Sequence, residues 1–252
     1  MSDLFLLSED QLAWISPYFP LSHGVARVGD VHVISGIVYV IKHGLQWKDG
    51  PKDYGAHKTL YNSLFRWSRL GVFDRIFAAL AGEGPKPQGI MINATHLKAH
   101  LTAASLLKKG VFPHCVGRTK GGLNSKLHTV VDQDGKPLCL LLSEGEMSDY
   151  KGAALLLPVL LEAQELITDK GIDTVWFRQA LFDRKIKLCI SPRKGRTANI
   201  FFDKATYKLR HKIENLFAKL QTWRRIARRY DQCAHNFFLA ICIAAAVIFY
   251  LN

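Results

Sequence analysis

Three polar residues sit in settings suited to chemistry on oxygen: Asn93 in Met-Ile-Asn-Ala-Thr-His, Asp169 in Ile-Thr-Asp-Lys-Gly-Ile-Asp, and Glu214 in Tyr-Lys-Leu-Arg-His-Lys-Ile-Glu-Asn. The first two belong to strand-like apolar runs and the third to a strongly basic helical segment. Oxygen donors gathered in this way at one edge of a mixed sheet can hold a pair of Mg2+ ions, which would activate a water and stabilise a departing 3′ oxygen. On the helical segment Tyr207, Arg210 and Glu214 stand at i, i+3 and i+7 on one face, beside an apolar stripe of Ile213, Leu216, Phe217 and Leu220. From spacing alone, the plainer reading of Glu214 is that it offsets repulsion between Arg210 and Lys212. The sharper one makes it a ligand.

Such residues need strands and helices in alternation to hold them, and the sequence after residue 89 supplies these. Strands are expected at Ile90–Ala99, Lys126–Val131, Pro137–Leu142, Glu165–Thr168 and Ile186–Ile190, with Asp134-Gly135 as a hairpin turn. Asp132, beside that turn, is read as hairpin-edge chemistry. Helices are expected over about Tyr150–Glu162, Asp173–Phe182, Lys204–Tyr230 and Ala234–Leu251.

Ahead of this region, helical periodicity runs from Ser8 to about Leu80. It reads as a short helix capped by Ser8 or Asp10 and stopped by Pro20, a second over Val31–Ile41, and a third from Lys58 to Leu70. A helix-turn-helix-like module is compatible with this pattern, with Trp14, Trp47, Phe65 and Trp67 as its core. The Gly- and Pro-rich stretch Gly82–Gly89 marks the boundary. The expected organisation is a helical N-terminal domain over residues 1–82, a linker over 83–89, and an α/β domain over 90–252.

The 252 residues are 48% hydrophobic, enough for a sizeable core, and carry 34 Lys and Arg against 21 Asp and Glu, a net charge of +13. A polyanion is the first partner this implies. The excess lies almost wholly after residue 92. Lys204–Tyr230 holds nine basic residues and one acid, Glu214. On the third N-terminal helix, Lys58, Asn62, Arg66 and Arg69 recur at i, i+4, i+8 and i+11, a second surface for DNA. Two basic segments, Gly117–Asn124 and Ser191–Arg196, read as surface loops with the composition for phosphate contact, and neither has the order of a phosphate-cradling loop.

Five cysteines at wide, irregular spacings argue against a disulfide framework or a zinc site and for reduced, cytoplasmic thiols. No basic region precedes apolar residues at the N-terminus, so no signal peptide is expected. The apolar run Phe237–Leu251 is 15 residues long, short of the roughly 18 to 20 that cross a bilayer. A buried terminal helix and no membrane contact are expected.

Several ordered segments resemble bacterial DDE transposases of insertion-sequence family 5: Asn-Ala-Thr-His-Leu-Lys-Ala-His (93–100), Gly-Arg-Thr-Lys-Gly-Gly-Leu-Asn-Ser-Lys-Leu-His (117–128), Ser-Asp-Tyr-Lys-Gly-Ala (148–153), Tyr-x-x-Arg-x-x-x-Glu (207–214) and Trp-Arg-Arg-Ile-Ala-x-Arg-Tyr-Asp (223–231). In the N-terminal region, Tyr-Gly-x-His-Lys-Thr-x-Tyr-Asn (54–62) with Arg66-Trp67 resembles the same family. The resemblance spans nearly the whole chain. It implies an RNase H-like α/β fold, strand transfer at the ends of a mobile element, two Mg2+ ions (Mn2+ as a substitute), and a homo-oligomer assembled on double-stranded DNA that carries terminal inverted repeats.

Carried over residue by residue, the resemblance makes Asp169 the second catalytic acid and Glu214 the third, with Tyr207 and Arg210 in the signature around Glu214. Asp173 is a weaker acidic candidate, read as a helix cap. At the first acid's position stands Asn93. Ile172 replaces an aromatic, and Gln221 replaces a basic residue. An amide supplies one neutral oxygen where a carboxylate supplies charge and two oxygens, so this copy is expected to be catalytically impaired. The DNA-facing cations expected are Lys58, Arg66, Arg69, Arg118, Lys120, Arg193, Lys194, Arg196, Lys212, Arg224, Arg225, Arg228 and Arg229. A DNA-binding protein without turnover, acting as a repressor, is the alternative.

Overall fold

The computed structural model describes residues 4–20, 30–105, 114–191 and 202–251. In chain order the helices are α1 (Glu9–Ile15), α2 (Asp30–His43), α3 (His57–Arg69), α4 (Val72–Gly82), α5 (Leu101–Ala104), α6 (Asp149–Leu156), α7 (Val175–Asp183), α8 (Lys204–Lys208), α9 (His211–Gln221), α10 (Arg224–Ala227) and α11 (Ala234–Phe249). The strands that build the α/β unit are β1 (Gly89–Ala99), β2 (Gly117–Thr119), β3 (Gly122–Asp132), β4 (Pro137–Glu144), β5 (Glu165–Thr168) and β6 (Lys187–Ile190).

The chain divides into two compact units, residues 1–80 with 100–114 and 220–252, and residues 81–99 with 115–219. This is not the single break at 83–89 that the sequence suggests. The reason is α11, whose residues from Leu239 to Ala246 are all buried and which packs with α2 and α3. A helix apolar all round has no solvent face and must be enclosed by others. Among the described residues no helix is long and apolar enough to cross a membrane.

In the first unit, Ser8 caps α1 in a capping box with Gln11. The helical region holds a fourth helix, α4, beyond the three expected. Trp67 is buried against Phe19 and Phe73, but Trp14 is 58% and Phe65 38% exposed, so neither belongs to the core.

The second unit is a mixed sheet in the order β2–β3–β1–β5–β6, with β4 also pairing β3. β1, β3 and β4 run antiparallel, whereas β5 and β6 run parallel to β1. This is the RNase H-like arrangement. Gly135 turns the β3–β4 hairpin at φ 85°, a conformation that favours glycine, and Asp132 Oδ1 accepts from the backbone N–H groups of Asp134 and Lys136. The segment 117–124 is a hairpin of β2 and β3 rather than a loop.

Two long helices expected from sequence are divided. The one over 150–162 ends at Leu156, where Pro158 enters a tight turn over Leu157–Val159. The one over 204–230 is broken into α8, α9 and α10 at Leu209–Arg210 and at Thr222–Trp223. Its apolar stripe survives, with Ile213, Leu216, Phe217 and Leu220 all buried.

Candidate active site

Parallel pairing places the first two site positions. Ile92 lies opposite Thr168 in the β1–β5 register, and Thr168 Oγ1 donates to the Ile92 carbonyl at 3.0 Å. On that face Ile90, Ile92 and Leu166 join a core closed by Ala153 and Leu156 of α6 and by Phe177 and Leu181 of α7. Side chains alternate along a strand, so Asn93, midway along β1, and Asp169, just past the end of β5, each one residue further on, turn to the other face on adjacent strands.

Asp169 is half-buried, and its Oδ1 accepts from the N–H of Lys170 at 2.8 Å. The Tyr207 hydroxyl reaches the same oxygen at 3.5 Å. Burial pushes the Tyr207 phenol above its ordinary pKa, which keeps it protonated as a donor. Arg210 lies 5.8 Å over the Tyr207 ring, and its guanidinium is 2.8 Å from Glu214 Oε1. Contacts therefore run from Asp169 through Tyr207 and Arg210 to Glu214, although a helix break separates Tyr207 from Glu214.

Asn93 sits half-buried, with its Oδ1 accepting from the N–H of Ala94 at 2.8 Å. Across the ladder from it Thr129 is fully buried, and the Thr129 hydroxyl has no hydrogen-bond partner among the described residues. Asp173 neither caps α7 nor joins the site. Thr174 is the cap, and Asp173 is ion-paired to Arg178 at 2.7 Å inside the unit.

A pair of divalent ions needs several anionic oxygens brought together in one place. Among the described residues no three His, Cys, Asp or Glu side chains stand together as a metal site. Asn93 brings no charge, and Glu214 already faces a guanidinium. These residues as they stand do not fit a two-ion site.

The expected DNA-facing cations fall into two groups. Lys58, Arg66 and Arg69 are exposed along α3, whose other face buries Leu60, Leu64 and Trp67. Arg118, Lys120, Arg224 and Arg228 are also exposed. Others are structural. Arg229 is 0% exposed and donates to the carbonyls of His114, Asp231 and Gln232. Arg225 forms a bidentate ion pair with Asp231, donates to the Leu45 carbonyl and covers the Trp47 ring. Neither can offer its charge to a phosphate. Lys212 is partly committed, donating to the Gln133 carbonyl at the β3–β4 hairpin. Arg193, Lys194 and Arg196 lie outside the described residues.

Two buried polar residues of β3 are not among the residues that sequence reasoning singles out. Lys126 is 6% exposed and pairs with Asp149 at 2.6 Å, while His128 is 1% exposed and bonds Ser143. Burial, with the Lys126 charge second, drives the His128 pKa down to about 4. The available signal was Lys126 and His128 two residues apart on a strand, which puts both on one face.

Residues 84–249 match the family described as "Transposase DDE domain", and residues 7–77 match "Putative transposase of IS4/5 family". This chain belongs to the DDE transposases. The transposase is 31% identical over 129 residues to the Brucella ovis protein "Putative transposase for insertion sequence element IS6501", an alignment covering 50% of this chain and 98% of that one. It is 31% identical over 80 residues to a protein of insertion element IS402 from Burkholderia cepacia, covering 31% of this chain and 54% of the other. Its fold is similar to that of a piggyBac transposase in a synaptic complex with hairpin DNA, with a TM-score of 0.53 at 9% identity, over 97% of this chain and 70% of that one. DDE transposases generally use divalent metal ions.

Proposed function

We propose that this transposase binds the terminal inverted repeats of a bacterial insertion sequence, and that this copy is impaired in cleavage and strand transfer. The carrying observation is Asn93, midway along β1 and one residue past the rung that pairs Ile92 with Thr168, at the position where the family has its first acid. At an effective dielectric near 20, one unit charge about 4 Å from another contributes on the order of 4 kcal/mol, and more toward a dication. At about 1.4 kcal/mol per tenfold, losing it removes orders of magnitude in rate. Asp169 and Glu214 remain as the other two acids, with Tyr207 and Arg210 orienting them, and Mg2+ is the ion the restored set would take.

The partners proposed are double-stranded DNA at the element ends and at the target, and further copies of this chain assembled on that DNA, in the cytoplasm. The exposed cations of α3, with Arg118, Lys120, Arg224 and Arg228, support DNA contact because they are free to neutralise phosphates.

The test is Asn93→Asp. The variant is expected to nick its element ends in Mg2+ where the native chain does not, and a variant with no gain overturns the assignment of the first ligand position. The same Asn93 observation favours a second reading, a DNA-binding repressor without turnover. Under it the native chain, mixed with an active copy on end DNA, lowers product yield.

A further inference from the structure

The second unit contains a groove of about 740 Å³, within the usual size range of ligand sites, that the catalytic reading does not use. It is lined by His96 and Lys98 of β1, Asn124 and Lys126 of β3, and the turns on either side. These strand positions have the opposite parity to Asn93 and Thr129, so the groove opens on the other face of the sheet from the candidate acids.

Its polar groups are unevenly satisfied. Asn124 is 1% exposed, and its amide N–H groups donate to Thr119 Oγ1 at 2.7 Å and to the Gly122 carbonyl at 2.8 Å. Its Oδ1, buried in the groove wall, accepts from nothing among the described residues. Ser148, the cap residue of α6, makes no capping bond, and its buried hydroxyl likewise has no partner. A buried acceptor left unpaired costs about 1–3 kcal/mol, so such a wall favours a ligand that brings a donor.

Charge selects the rest of that ligand. Asp149 neutralises Lys126. Lining the groove are two exposed ammonium groups, Lys98, one of whose N–H groups donates to the Gly121 carbonyl at 2.6 Å, and Lys120, against one carboxylate, Glu146, which already accepts from the N–H of Arg118. Tyr150 lies on the rim, 37% exposed. An anion, a flat ring and an N–H donor within one ligand describe a nucleotide.

We propose that this groove seats one unpaired nucleotide of a DNA strand, with its phosphate between Lys98 and Lys120, its base against Tyr150, and its exocyclic amino group donating to Asn124 Oδ1. This rests on the reading that the transposase binds DNA, and extends it from duplex contact to capture of a base outside the helix. Base–aromatic stacking and ammonium–phosphate contact act together in single-strand sites.

The experiment measures binding of three fluorescent decamers to the full chain: oligodeoxyadenylate, the same strand with nebularine bases that lack the amino group, and an abasic strand. A duplex carrying the element end is measured in parallel. The native chain is expected to prefer the adenine decamer over the abasic one by about tenfold, with nebularine between them. Tyr150→Ala is expected to abolish the preference for a base and leave duplex affinity unchanged, whereas Tyr150→Phe keeps both. Lys98→Ala with Lys120→Ala should lower the salt slope on the decamers by about 0.7, the value for one single-strand phosphate.

Equal binding of adenine and abasic strands by the native chain, or discrimination that persists in a folded Tyr150→Ala variant, overturns the proposal. Failure of the parent reading looks different: the duplex is not bound at all, whatever the decamers do.

Discussion

The hydroxyl of Thr168 donates to the carbonyl of Ile92 at 3.0 Å, across the last registered pair of two parallel strands. Thr168 is fully buried, and the bond marks the rung at which β5 ends, with Asp169 just past it, while Asn93 continues β1 opposite Thr129. Thr168→Val keeps the shape and removes the donor. It is expected to cost about 1 kcal/mol, read as a lower urea midpoint with an unchanged slope.

Asn93→Asp restores a charged oxygen opposite the buried hydroxyl of Thr129 and next to Asp169. Its thermal midpoint should rise as Mg2+ is added, by the equivalent of about 2.7 kcal/mol at a hundredfold excess over Kd, while that of the native chain stays in place. Equal midpoints across a Mg2+ titration of the variant would count against the site.

His128 predicts an acid limb to stability. Its folded pKa of about 4 lies below the unfolded value near 6.5, so the unfolded chain binds more protons between those limits. The contribution is complete above pH 6.5 and is lost as pH falls toward 4, at about 1.4 kcal/mol per unit. Lys126, Asp149 and His96 are the charged or titratable groups that act on it, and Ser143 is its hydrogen-bond partner. Chemical denaturation of native and His128→Gln protein at pH 7, 5.5 and 4.5 should show the native chain losing stability more steeply.

Gly152 faces the same imidazole. A Cβ added there would clash with His128 Nδ1. The neighbour is a buried ring bonded through Nε2 to Ser143, so Gly152→Ala is expected to cost about 1–3 kcal/mol by overpacking, and His128→Ala in the same chain should recover part of that loss in a double-mutant cycle.

Arg228 and Arg229 are adjacent in sequence and opposite in role. Arg229→Met leaves three carbonyls without their donor and is expected to destabilise by several kcal/mol in denaturant melts. Arg228→Ala should leave stability within about 0.5 kcal/mol and lower the salt slope of duplex binding by roughly 0.9 if it neutralises one phosphate. Identical behaviour of the two variants in both assays would refute the division.

Much of the α/β unit was legible in local pattern. The strand Glu165–Thr168 matches its expected bounds, and Asp134-Gly135 turns the hairpin. Period-two apolar runs and a positive-φ glycine are properties of a few neighbouring residues, so they need no tertiary context. Less legible was the fate of each arginine. Arg225 and Arg229 look like their neighbours in the chain, and only the carbonyls and the carboxylate folded around them show that they are structural. The Asp169 side of the site was readable as a motif, but its Tyr207 contact crosses 38 residues of sequence and depends on where α8 lands.

Residue identity alone determined the net charge of +13, which suits a polyanion, and that position 93 carries an amide while positions 169 and 214 carry carboxylates. These follow from composition and motif, which folding does not alter. Tertiary structure decided which residues stand together: Asn93 beside Asp169 through parallel register, Tyr207 on Asp169, α11 with α2 and α3, and a groove whose lining comes from four separate stretches of chain. Register and burial arise from contacts between residues far apart in sequence, and a linear pattern of types and spacings carries no term for them.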